Sequence, residues 1–139
     1  MTNKTAPPLL RIKLDSSTPV YQQIADGLRT LLVGGTFQPG DRLPTVRQMA
    51  IDLGVNHNTV AEAYRLLADD HWLDLKRRRG ATVILRTAPP AKPSTRDDFI
   101  HRLRALAARA MADGLEAKAV TKHLSALANE LQNFRKATP

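Results

Sequence analysis

The sequence predicts a mainly α (α+β) fold: an N-terminal winged helix-turn-helix followed by a short two-helix tail. Three observations carry this. Two amphipathic helical patterns stand only Gly54 and Val55 apart, the spacing of a helix pair joined by a tight turn. Two short apolar runs follow around a basic tip at Lys76–Gly80, as the hairpin of a wing would. A Pro-containing stretch at residues 87–93 then separates these elements from two further apolar stripes at helical spacing.

Residues 1–8 are polar and Pro-containing and read as a loose lead-in. Leu10-Arg11-Ile12-Lys13-Leu14 alternates apolar and basic residues, the period of a short half-buried strand. Thr18-Pro19 reads as a helix start, with the hydroxyl as cap and proline at the first helical position. Tyr21, Ile24, Ala25, Leu28 and Leu32 give this first helix its apolar face, and Gly34-Gly35 end it. Phe37 to Asp41 is a turn by its Pro39-Gly40 pair. Thr45 and Gln48 make a capping-box pattern for a second helix over about 45–53, apolar along Val46, Met49, Ala50 and Leu53. Gly54 suits the left-handed residue that closes it, and Asn56 caps a third helix over roughly 56–69, apolar along Val60, Ala63, Tyr64 and Leu67. Trp72–Leu75 and Ala81–Leu85 read as the two wing strands.

Three domain assignments follow: a DNA-binding domain over 1–86, a linker over 87–93 and a dimerisation region over 94–139. Ser94, Thr95, Asp97 and Asp98 offer overlapping caps for a fourth helix striped by Phe99, Leu103, Leu106 and Ala110. Gly114 breaks it, and Val120, Leu124, Leu127 and Leu131 stripe a fifth. A small two-helix unit can hardly bury such faces alone, so these eight residues are assigned to a homodimer seam.

Composition narrows the function. The 139 residues leave no room for a second full domain, and a formal net charge of +8 favours a polyanionic partner. The charge is uneven: +2 over residues 1–17, +1 over 18–85 and +5 over 86–139. The footprint near the motifs is therefore local, concentrated in the run Lys76, Arg77, Arg78 and Arg79. The absence of cysteine excludes disulfides and thiolate metal sites and fits a reducing compartment. The N-terminus lacks a signal-peptide core, and no run approaches the ~20 apolar residues of a membrane span, so a cytoplasmic protein with no membrane partner is expected.

The recognition helix of a helix-turn-helix enters the major groove with its N-terminal residues toward base edges. Here His57, Asn58, Ala61 and Arg65 lie opposite the apolar stripe. Asparagine bonds adenine at two positions, and Asn58 and Thr59 also suit phosphate oxygens. Arg47 projects from the start of the second helix, where backbone N–H groups favour phosphate and a guanidinium grips it with two bonds. Gly80 lets the hairpin tip approach a phosphate or minor groove closely. Arg42, Thr45 and Asn56, flanking and capping the two helices, complete the candidate set with Arg65, Lys76, Arg77, Arg78 and Arg79. The bland alternatives are polar helix openings and solvated charge clusters; like charges crowded in one tip nevertheless repel, a cost that an anionic partner offsets.

Over roughly residues 10–85 the chain resembles the GntR family of bacterial regulators. Pro19-Val20-Tyr21-Gln22-Gln23-Ile24, Pro39-Gly40-Asp41-Arg42-Leu43-Pro44-Thr45-Val46-Arg47, Leu53-Gly54-Val55-Asn56-His57-Asn58-Thr59-Val60 and Arg79-Gly80-Ala81-Thr82-Val83 carry the resemblance in order and spacing. The Val-Asn-x-Asn-Thr-Val form and the short tail look like the YtrA subfamily, whose members often control transporter operons. The resemblance implies DNA contacts by Arg47, His57, Asn58, Thr59, Arg79 and Gly80, with the tail mediating dimerisation. Two departures stand out: many relatives have arginine or proline in place of His57, and some have a base-contacting arginine in place of Ala61.

The function expected is that of a sequence-specific DNA-binding regulator, a repressor acting as a homodimer on a two-fold symmetric double-stranded operator. The competing reading is a non-specific or architectural nucleic-acid binder. Catalysis has little support: of His57, His71, His101 and His123 no two have the short helical spacing of a zinc motif, and there is no cysteine nucleophile or Gly-rich phosphate loop. No cofactor or metal is implied, and a small-molecule effector at the tail is left open.

Overall fold

The structure, a computed structural model, describes residues 10–76 and 80–137, with side chains to residue 133. Its elements are α1 (Val20–Val33), α2 (Val46–Leu53), α3 (His57–Asp69), β1 (Leu73–Lys76), β2 (Gly80–Val83), α4 (Pro93–Ala112) and α5 (Ala117–Ala137). Contacts divide the chain into two units that meet in sequence between Arg86 and Thr87. The first unit is a winged helix-turn-helix, and the molecule is mainly helical with one small sheet.

At the centre of the first unit lies α3, packed on α1, α2 and β1. Its Val60, Ala63, Tyr64 and Leu67 are buried, the face that their spacing predicts. Ile24, Ala25, Leu28, Leu31 and Leu32 meet them from α1. The start of α1 differs from expectation. Pro19 stands just before the helix rather than in it, and Thr18 supplies no side-chain cap. The Gln23 amide instead reaches back, donating to the carbonyls of Thr18 (2.8 Å) and Lys13 (2.9 Å), while its oxygen accepts from the Lys13 N–H (2.8 Å).

That clamp also explains why residues 10–14 form no strand. Both polar backbone groups of Lys13 are taken by one side chain, which leaves no ladder to a neighbour. The alternation persists in another form: Leu10 is buried and Ile12 packs against the core, while Arg11, Lys13 and Leu14 are exposed. Leu10 lies over Gly27, where a Cβ would collide with its Cδ1.

The wing pairs β1 with β2 antiparallel, from Leu73 opposite Val83 to Lys76 opposite Gly80. Both strands lie slightly off the sequence reading: Trp72 precedes β1, and Ile84 and Leu85 follow β2. Leu73, Ala81 and Val83 face the core. A third edge, invisible in the local pattern, comes from the segment before α2. Gly40 N–H donates to Val83 (2.7 Å), Val83 N–H to Asp41 (2.8 Å) and Leu43 N–H to Ala81 (2.9 Å), with Arg42 bridged to Thr82. The wing is thereby tied to the entrance of α2.

In the second unit α4 touches α5 across a turn at Gly114. Pro93 opens α4 rather than closing the linker, since its missing N–H is no loss at the first helical position. Lys92 occupies the cap position without a side-chain bond, so none of Ser94, Thr95, Asp97 or Asp98 caps the helix. No residue of α4 is buried. Among the described residues, no helix is long and apolar enough to cross a membrane.

Candidate nucleic-acid interface

The helix-turn-helix is built by local rules. The Thr45 hydroxyl accepts from the Gln48 N–H (3.1 Å) and starts α2. The reciprocal half of the capping box is not made, because the Gln48 amide turns to Asp52 (2.8 Å). Gly54, at φ 69°, ends α2 in the left-handed region that disfavours a side chain. Its N–H donates to Ile51 (3.2 Å) and that of Val55 to Ala50 (3.0 Å), the paired bonds of a Schellman turn. Asn56 then accepts from the Asn58 N–H through Oδ1 (2.8 Å) and opens α3. With its side-chain oxygen so used, Asn56 acts on the helix start first.

One tertiary hydrogen bond positions α3 against the approach to α2. The Tyr64 phenol donates to the Pro44 carbonyl at 2.6 Å from an almost fully buried side chain. Burial also pushes its pKa well above the usual tyrosine range, since the phenolate would be stripped of water.

Around this frame the sequence-predicted residues distribute as follows. Asn56, His57 and Asn58 are exposed and Thr59 is half-buried, so the first turn of α3 presents polar side chains outward. Arg47 lines one open groove with Gly54, Asn56 and His57, which brings the starts of the two helices together. Arg42, Thr45 and Arg65 are exposed, Arg42 beside β2. Lys76 is exposed at the end of β1 and pairs with Asp74 (3.5 Å). Gly80 adopts φ 68°, with open space where a Cβ would stand, so its backbone conformation rather than crowding favours glycine. Arg77, Arg78 and Arg79 lie outside the described residues. Sequence reasoning passed over Glu62, which is exposed on the face of α3 that carries Asn58 and Arg65. Its signal was the four-residue step from Asn58, opposite the apolar stripe.

Comparison with known proteins fixes the family. Residues 20–83 match the bacterial regulatory proteins of the gntR family. The solved structure of YtrA from Sulfolobus acidocaldarius, a GntR-family transcription factor, is 35% identical and superposes with a TM-score of 0.54, covering 75% of this chain and 98% of that one. The chain belongs to the GntR family. Its first unit is the DNA-binding helix-turn-helix of that family, and it is YtrA-like. The transcriptional regulator Rv1152 of Mycobacterium tuberculosis is 37% identical over 70% of this chain and 81% of its own length. The transcriptional repressor YtrA of Bacillus subtilis is 37% identical over 54% of this chain. The match spans 58% of that repressor's length and 18% of YdcR of Escherichia coli. A transcriptional antiterminator from Listeria monocytogenes, at 22% identity and a TM-score of 0.64 over 87% of this chain, shares the fold.

Proposed function

We propose that this GntR regulator is a sequence-specific repressor that binds a two-fold symmetric operator as a homodimer. The observation that carries the reading is the outward-facing polar first turn of α3, held by the Asn56 cap and the Tyr64 bond. Such a turn fits a major groove, with His57 and Asn58 toward base edges and Thr59 toward the backbone. Arg47 and Arg42 serve as phosphate grips beside it, and Lys76, Gly80 and the wing tip follow the adjacent groove. Pairing of chains is supported by the tail: Phe99, Leu106, Leu124, Leu127 and Leu131 are exposed in the single chain, and Leu103, Ala110 and Val120 are half-buried. So much exposed apolar surface on a small unit favours a partner helix pair. The repressor sense rests on the B. subtilis relative, which is a transcriptional repressor.

A gel-shift titration on the DNA upstream of the gene, with random duplex as competitor, tests the reading. The expected preference is on the order of 10³-fold or more, and a ratio near one would turn the protein into an architectural binder. In the same assay Arg47→Ala lowers affinity on every duplex and reduces the slope of log affinity against log salt by about one, the signature of a lost phosphate contact.

A further inference from the structure

Glu62 is the carboxylate nearest the N-terminal turn on the outward face of α3, the exposed Asp69 of the same face standing at the helix's far end. Helical geometry turns about 100° per residue, so Asn58, Glu62 and Arg65 fall on one face, on the side opposite buried Val60, Ala63, Tyr64 and Leu67. Glu62 is exposed and lies one turn beyond Asn58, about 6 Å along the axis, or roughly two base steps of duplex. Although Arg65 stands three residues on, neither forms an ion pair among the described residues. The Glu62 charge is thus not taken up by an ion pair among the described residues.

A carboxylate there would face a polyanion. It accepts hydrogen bonds and donates none, so guanine N7 and O6 and thymine O4 repel it. Adenine offers one amine beside the N7 acceptor. Cytosine offers the N4 amine with no acceptor of its own in the major groove. We propose, on the reading that α3 enters the major groove, that Glu62 is a specificity-determining residue that accepts from the N4 amine of one cytosine in each half-site. Its effect is selective rather than adhesive: it penalises every other base at that position while adding little to overall affinity.

Selection from a randomised duplex pool with the full chain, E62A and E62Q tests this. The wild-type consensus is expected to contain a cytosine whose enrichment falls about tenfold in both variants while every other position is kept. Retention of the other positions also shows that the variants fold and dock. Binding of both variants to random duplex is expected to equal or exceed that of the wild type, because a negative charge has been removed. An identical consensus in all three proteins overturns the assignment to Glu62, as does loss of preference at an adenine instead. Failure of the wild type itself to select any consensus overturns the sequence-specific reading beneath it.

Discussion

His71 stands at φ 64° between α3 and β1, the one residue other than glycine with positive φ among those described. It closes α3 as Gly54 closes α2: its N–H donates to Ala68 (3.0 Å) and that of Trp72 to Leu67 (2.9 Å). A side chain in this region costs roughly 1–2 kcal/mol, part of which glycine gives back through the unfolded chain's greater entropy. His71→Gly is therefore expected to stabilise the fold by about 0.5–1 kcal/mol, read as a higher urea midpoint at unchanged slope; a lower midpoint would show that the imidazole makes a compensating contact. Tyr64 is the opposite case, since its hydroxyl does work that the aromatic ring alone cannot. Tyr64→Phe removes the donor to the half-buried Pro44 carbonyl and should cost about 1–2 kcal/mol. The phenol also carries a pH signature. Folding raises its pKa, so above pH 10.0 the unfolded chain ionises first and the folded state loses stability as pH climbs. Urea melts between pH 9 and pH 11 should show a steeper fall in wild type than in Tyr64→Phe, and parallel curves would mean that the phenol titrates freely in the fold.

At the scale of elements, helix starts separate what could be read locally from what could not. Thr45 and Asn56 cap α2 and α3 at the residues that the sequence indicates, because each cap is a bond within one turn of chain. Asn56→Ala is accordingly expected to cost about 1 kcal/mol of stability and, on the proposed docking, to weaken operator binding further by fraying the turn assigned to the groove. Equal losses on operator and random duplex would place Asn56 outside base readout. Thr18 and the Ser94–Asp98 cluster show the limit: they are chemically able to cap, yet α1 and α4 start without them. At α1 the Gln23 side chain has already organised the backbone that Thr18 would have shaped. Period-two alternation over Leu10–Leu14 marked the core side at Leu10 and Ile12 but not at Leu14, which is exposed, and alternation says nothing of whether a neighbouring strand exists to pair with. The Gly40–Leu43 edge went unread for the converse reason: its hydrogen bonds reach some forty positions along the chain to β2, beyond any local pattern. Glu62 went unread because the polar face was followed only through His57, Asn58, Ala61 and Arg65, whereas α3 sets it between Asn58 and Arg65.

Across the whole molecule, apolar burial is concentrated in one unit. All the buried hydrophobic residues named for the core, from Leu10 to Val83, lie before the junction at Arg86, whereas α4 buries nothing and the stripes of α4 and α5 stay largely open. The first unit therefore carries its own core, and a chain ending at Arg86 should fold alone, with a cooperative urea transition followed by emission from Trp72, the single tryptophan. If the tail is the dimer seam, that truncated chain sediments as a monomer while the full chain sediments as a dimer. The consequence for DNA follows from effective concentration: two linked reading heads make the second half-site an intramolecular encounter, which raises apparent affinity by about 10²–10⁴-fold without any new contact. The truncated chain should lose that factor on a symmetric operator and lose little on a single half-site. A truncated chain that folds, remains dimeric and keeps full operator affinity would move the seam into the first unit and leave the open stripes of α4 and α5 for another partner.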